Sequence, residues 1–174
     1  METMPGRPRP DECEEFYHVY IAAAGEPLLE SLERESAGWS RMLDSVPPER
    51  EGYRYAPGKW SLREVVAHVI DAERMFTMRV LAFARGDRAH FPSFDQEEYA
   101  AASRADRRPL ASLAEELRAV RQSTVLLLRS FDEDVWGRRG VASGYEFTVR
   151  SLAWIIAGHS RHHRRVLADR YVNG

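Results

Sequence analysis

The 174-residue chain is poor in the residues that staple, anchor or strongly charge a protein: it has one cysteine, Cys13, and one lysine, Lys59, among 25 basic residues. A lone cysteine closes no intramolecular disulfide and builds no thiolate cage, which excludes disulfide-stapled secreted scaffolds. No stretch approaches the ~20 apolar residues that span a bilayer. The first ten residues hold three prolines and no apolar run, so they lack the core of a signal segment. A cytoplasmic protein with no membrane partner is expected. Charge of one sign is not in excess either, with 25 basic against 27 acidic residues and a net charge of −2. Nucleic acid is therefore not expected as a partner, because phosphate binding relies on clustered Lys and Arg. A phosphate-cradling glycine loop and a GxSxG elbow are also missing.

What is present is the balance of a globular domain, 44% hydrophobic and 30% charged, at a length suited to a single core. Residues 1–19, Pro-rich and polar at their start, are expected to be a flexible segment ahead of a domain spanning 20–174. From about Gly25, Leu28, Leu29, Leu32, Trp39, Met42 and Leu43 recur at helical spacing and stop at Pro47 and Pro48, where proline cannot continue a helix. Ser61 with Glu64 three residues on is a capping box. It opens a second long helix of ~25 residues, ~37 Å, that ends at Gly86. Asp95 with Glu98 marks a short extra helix, Pro109 opens a third long one ending near Phe131, and Thr148 caps a fourth running to about Tyr171. Tyr53 and Tyr55 fall in a connecting loop as packed aromatics. The glycine-containing segment from Asp132 to Thr148 reads as a long loop, with Tyr145 to Val149 too short to found a sheet. The expected class is all-α: a four-helix bundle with a short extra helix between its second and third members.

Chemistry is concentrated in histidine. His159 and His163 stand four residues apart on one helix, the spacing that lets two imidazoles meet one ion. His68 lies on the inward stripe of the second helix with Val65, Ala72 and Met75. Three inward imidazoles from facing helices would suit Zn, Ni or Fe. Spacing alone fits a set of hydrogen-bonded core histidines more often than a metal site. His162 fits a substitute ligand, an acid near the metal or a surface residue. Asp71, three residues after His68, is a weak catalytic candidate, as a carboxylate that orients a ligand or acts as base. Glu73, on the far side, is expected to pair with an arginine. Arg79 and Arg164 could each hold an anionic substrate or be solvated charge. His18 and His90 take no role, and Cys13 is too isolated for a nucleophile.

Four stretches together resemble one family: Tyr55-Ala-Pro-Gly-Lys-Trp-Ser61, His68-Val-Ile-Asp-Ala-Glu-Arg74, Phe94-Asp-Gln-Glu-Glu-Tyr99 and Gly158-His-Ser-Arg-His-His-Arg164 are similar in order and spacing to the DinB-like, or YfiT-like, four-helix-bundle metalloproteins. The resemblance covers about Tyr20 to Tyr171. It implies a divalent metal held by one His of the second helix and two of the fourth, here His68, His159 and His163, with water completing the shell. It also implies a homodimer and a small-molecule substrate. Characterised activities in the family centre on low-molecular-weight thiols: transferases that join bacillithiol or mycothiol to electrophiles, and a thiol-dependent isomerase. Other relatives are assigned as metal-dependent hydrolases. The expectation is thus a metal-dependent enzyme that activates a thiol cosubstrate or water. The alternative is a non-catalytic metal- or ligand-binding stress-response dimer.

Overall fold

The computed structural model describes residues 5–172, so residues 1–4 of the expected flexible segment and 173–174 of the expected domain lie outside the described residues. The described helices are α1 (His18–Ala23), α2 (Leu28–Asp44), α3 (Leu62–Ala84), α4 (Gln96–Ser103), α5 (Leu110–Arg129) and α6 (Val149–Leu167), and a hairpin of β1 (Arg139–Ala142) and β2 (Tyr145–Thr148) precedes α6. Local chemistry sets several of these boundaries. The Glu64 amide donates to Ser61 Oγ at 3.1 Å while the Ser61 amide donates to the Glu64 carboxylate at 2.8 Å, which starts α3. Asp95 Oδ1 accepts the Glu97 and Glu98 amides at 2.8 and 3.2 Å and starts α4. Thr148 Oγ1 accepts the Ser151 amide at 2.9 Å and starts α6.

The bundle is made by α2, α3, α5 and α6. Helix α3 packs on α5 and α6, and α2 packs on the same two, so the consecutive pair α2 and α3 lies across the bundle rather than side by side. Two apolar clusters fill it. One gathers Leu28 and Leu32, Phe76 and Val80, Leu128, and Leu152 and Ile155; the other gathers Trp39 and Leu43, Val65 and Ile70, Leu113 and Leu117, and Leu167. Burying each such side chain contributes about 1.5–3 kcal/mol. Between the clusters, along the helices, fall the buried polar side chains Glu35, Glu73, Arg121, His159 and Ser160, with His68 beside them. The bundle therefore carries a polar layer at its waist.

Three expectations change here. The segment read as a loop contains the hairpin, with Ala142 paired to Tyr145 around Ser143 and Gly144. Both turn residues have positive φ, 56° and 83°, the conformation of a two-residue turn that suits strand twist. Gly140 lets this hairpin sit on α3, since a Cβ there would fall 2.1 Å from the Phe83 ring. A further helix, α1, precedes the first one expected. The described part of the segment expected to be flexible is tied down: Glu12 is fully buried, and its carboxylate accepts from Thr148 Oγ1 at 2.8 Å and from Arg150 Nε and Nη2 at 2.9 and 2.6 Å. The backbone carbonyl of Glu12 also takes the Ser151 hydroxyl at 2.9 Å.

Candidate metal centre

Helix α3 contributes His68, and α6 contributes His159 and His163. One ring nitrogen from each lies within 4.8 Å of the others, and the Nε2 atoms of His68 and His159 are 3.2 Å apart. The i, i+4 spacing stacks the two α6 imidazoles on neighbouring turns, with ring centroids 4.5 Å apart. The walls are aromatic. Trp60 lies 4.8 Å from the His68 ring, and its indole N–H donates to Glu97 at 2.9 Å. Phe76 and Tyr20 stand edge-on to His159 at 5.9 and 5.4 Å. Tyr20 reaches that position because α1 meets α6 at Gly158, where a Cβ would fall 1.7 Å from the Tyr20 carbonyl oxygen. Only glycine permits that approach.

Burial disfavours charge on all three imidazoles. It lowers His68 to about 4. Burial, with His68 and His162 adding to it, lowers His163 to about 3. For His159, burial acts with His163, His68, His162 and Arg121 to hold it well below its ordinary value of 6.5. At neutral pH each ring is uncharged and keeps one nitrogen lone pair. Two cavities open beside the triad. One of about 390 Å³ reaches His68 and His159; the other, of about 310 Å³, reaches His163. Tyr20 and Gln96 line both.

Other candidates separate. His162 is half-buried, lines the smaller cavity and stacks edge-on to Tyr20 at 5.7 Å, outside the three-histidine group. Asp71 does not face the triad. Its charged neighbours are Arg74, Glu116 and Arg108, and burial pushes its carboxyl upward. Glu73 pairs as expected, accepting from Arg121 Nε and Nη2 at 2.7 and 2.6 Å. Arg164 is half-buried and engaged by an acid of the protein, donating to Glu35 at 2.7 and 3.2 Å. Arg79 lines the larger cavity. Cys13 is buried, and burial together with Glu12 and Glu14 raises its thiol to about 11, which fits its exclusion as a nucleophile. Sequence reasoning missed Tyr20, Phe76 as a wall, and Ser143. The signal for Ser143 was the Ser143-Gly144 turn pair just before the β-like stretch that begins at Tyr145.

A model of the DinB superfamily matches residues 23–167 of the chain. Among solved structures, the chain is similar to YfiT from Bacillus subtilis, described as a probable metal-dependent hydrolase with an unusual four-helix bundle topology, with 16% identity and a TM-score of 0.77 over 97% of this chain and 93% of that one. It is similar to a mycothiol-dependent maleylpyruvate isomerase, with 16% identity and a TM-score of 0.65 over 84% of this chain, and spans 60% of that protein's length. It is also similar to the colibactin self-resistance protein ClbS in complex with dsDNA, with 17% identity and a TM-score of 0.64 over 84% of this chain and 95% of that one. At these identities the likeness concerns the fold. No curated protein matches the sequence.

The complex of ClbS with dsDNA overturns the expectation that excluded nucleic acid. A net charge near zero sums over the whole surface and does not describe any one face. On the membrane side, no helix among the described residues is long and apolar enough to cross a bilayer.

Proposed function

The chain belongs to the DinB superfamily, and on that premise we propose that it is a divalent-metal-dependent enzyme acting on a small molecule, with His68, His159 and His163 as ligands and a low-molecular-weight thiol as cosubstrate. The observation that carries the proposal is the set of three neutral imidazoles, His68 and His159 buried and His163 half-buried, whose nitrogens converge within 4.8 Å. The donor set fits such an ion: nitrogens each ~2.0–2.1 Å from a tetrahedral centre lie ~3.3 Å apart, close to the 3.2 Å between His68 and His159. Three neutral nitrogen donors suit Zn, Ni or Fe and do not themselves compensate the positive charge of the ion. Bound there, such an ion lowers the pKa of a thiol or water so that a nucleophile forms near neutral pH.

The protein's own part is to shape the surroundings. Trp60, Tyr20 and Phe76 exclude bulk water from the imidazoles, and burial keeps those rings unprotonated. The two cavities favour thiol transfer over hydrolysis, because a transferase must seat two organic molecules whereas hydrolysis needs one and water. The expected homodimer belongs to the same proposal, with exposed Met78 and Leu81 on α3 as its candidate contacts and light scattering as its measurement.

Elemental analysis of untagged protein tests the metal, beside His68→Ala and His163→Ala. About one divalent ion per chain, lost in both variants, is expected, and its absence from the parent protein would overturn the proposal. Loaded protein is then assayed with bacillithiol, mycothiol and glutathione against electrophiles. Metal without thiol-dependent turnover returns the chain to the non-catalytic alternative.

A further inference from the structure

Among the described residues Arg79 is a buried cation without a counter-ion. It is 1% exposed, its Nη2 donates to the Pro92 carbonyl at 2.8 Å and to Ser143 Oγ at 3.3 Å, and its Nε is buried with no partner. Among the described residues no carboxylate pairs with it. Tyr17 is its electrostatic neighbour, and the Phe76 ring lies 5.9 Å away. By contrast the buried Arg121 is paired with Glu73, and the half-buried Arg164 with Glu35. Burying an arginine unpaired is costly, and Arg79 borders the same cavity that ends on His68 and His159.

The position on α3 sets a length. Eleven residues at 100° each return Arg79 to within ~20° of the His68 stripe, with a rise of ~16 Å. Both side chains lean toward the start of the helix, so their tips stay about three turns apart. Between them the cavity wall is aromatic, with Tyr17, Tyr20, Phe76 and Phe94.

We propose that Arg79 anchors the carboxylate of an elongated small molecule whose apolar middle lies along the aromatic wall and whose other end faces the triad. The assignment of that far end to a reacting group rests on the proposed metal chemistry; the carboxylate subsite does not. The carboxylate could belong to the thiol cosubstrate or to its electrophile, and the probes separate the two.

Octanoate and octanamide are titrated calorimetrically into the parent protein, Arg79→Met and Arg79→Lys. Octanoate is expected to bind at least ten-fold more tightly than octanamide, Arg79→Met to erase that preference, and Arg79→Lys to keep part of it. Equal binding of acid and amide, no binding of octanoate, or an unaltered preference in Arg79→Met overturns the subsite. The comparison in the parent protein decides the matter even where a variant fails to fold. Cobalt-loaded protein mixed with 8-mercaptooctanoate reports the other end: a thiolate-to-cobalt absorption band that weakens in Arg79→Met assigns the carboxylate to the thiol, and octanoate preference without that band assigns it to the electrophile. Loss of cobalt binding with the octanoate preference intact sinks the metal proposal alone.

Discussion

The polar layer at the waist of the bundle has two sides that solve burial in opposite ways. On one side Arg121 and Glu73 face each other across α5 and α3, each about 2–3% exposed, with the remaining Arg121 Nη1 donating to the Leu32 carbonyl at 3.2 Å. Arg164 and Glu35 repeat the arrangement between α6 and α2, and the Trp39 indole donates to Ser160 at 2.9 Å. Every charge there meets its opposite. On the other side three imidazoles shed their charge through burial, and further along the same cavity Arg79 has no paired carboxylate among the described residues. The difference teaches which polar groups are left open to a ligand. The Arg121–Glu73 and Arg164–Glu35 pairs tie neighbouring helices together, whereas the imidazoles and Arg79 border cavities with donor or acceptor capacity unused.

The comparison breaks most visibly on its saturated side. Glu73→Ala is expected to cost about 3–5 kcal/mol by leaving Arg121 buried and unpaired, measured by urea denaturation with metal content unchanged. Replacing both partners with leucine should recover most of that loss.

On the open side the contrast is with metal. At a metal concentration a hundred times its Kd, binding stabilises the fold by about 2.7 kcal/mol. Chelation should therefore lower the Tm of the parent protein and leave that of His163→Ala unmoved. Equal responses in the two proteins would show that the open side is as structural as the saturated one.

A third test sharpens the contrast with a saturated acid outside the layer. Burial pushes the Glu12 carboxyl up, but Arg150, the Arg9 amide and the Thr148 hydroxyl outweigh it and hold it below its ordinary value of 4.5. A depressed carboxyl contributes stability that is whole above its unfolded pKa and is lost as the pH falls through the folded one. Glu12→Gln should cost about 2 kcal/mol at neutral pH and flatten the fall in stability below pH ~4.5, seen as converging denaturation midpoints in acid. The smallest effect is expected at an exposed cap. Asp95→Ala should cost about 1 kcal/mol and leave metal content untouched.

Much of this was legible one helix at a time. Ser61, Asp95 and Thr148 announced their helices because a capping hydrogen bond spans only two or three residues. His68, His159 and His163 announced a common face because a helix turns by a fixed angle per residue. Glu73 was visible as a partner for an arginine, though not for which one. Less visible was everything that depends on a distant contact. Glu12 looks like part of a loose start until Arg150 and Thr148 are brought to it. Asp71, three residues from His68, shares a face with it by helical spacing, yet its charged neighbours are Arg74, Arg108 and Glu116, two of which only the packing of the chain brings near. Arg79 and Arg164 read alike in the sequence, yet one is held by Glu35 and the other is left facing a cavity.

By itself, then, the sequence determined a mainly helical chain, most of its principal helix starts, and three histidines on the inward faces of two helices, because caps and helical phase are set by residues within a turn or two of one another. The tertiary structure alone decided that α2 and α3 lie across the bundle, that Gly158 lets Tyr20 reach His159, that the hairpin brings Ser143 to Arg79, and which buried charges are spent and which are free. Those outcomes depend on how whole elements pack against each other, and the pairing of residues more than a hundred positions apart is fixed by the burial of their helices and not by their own chemistry.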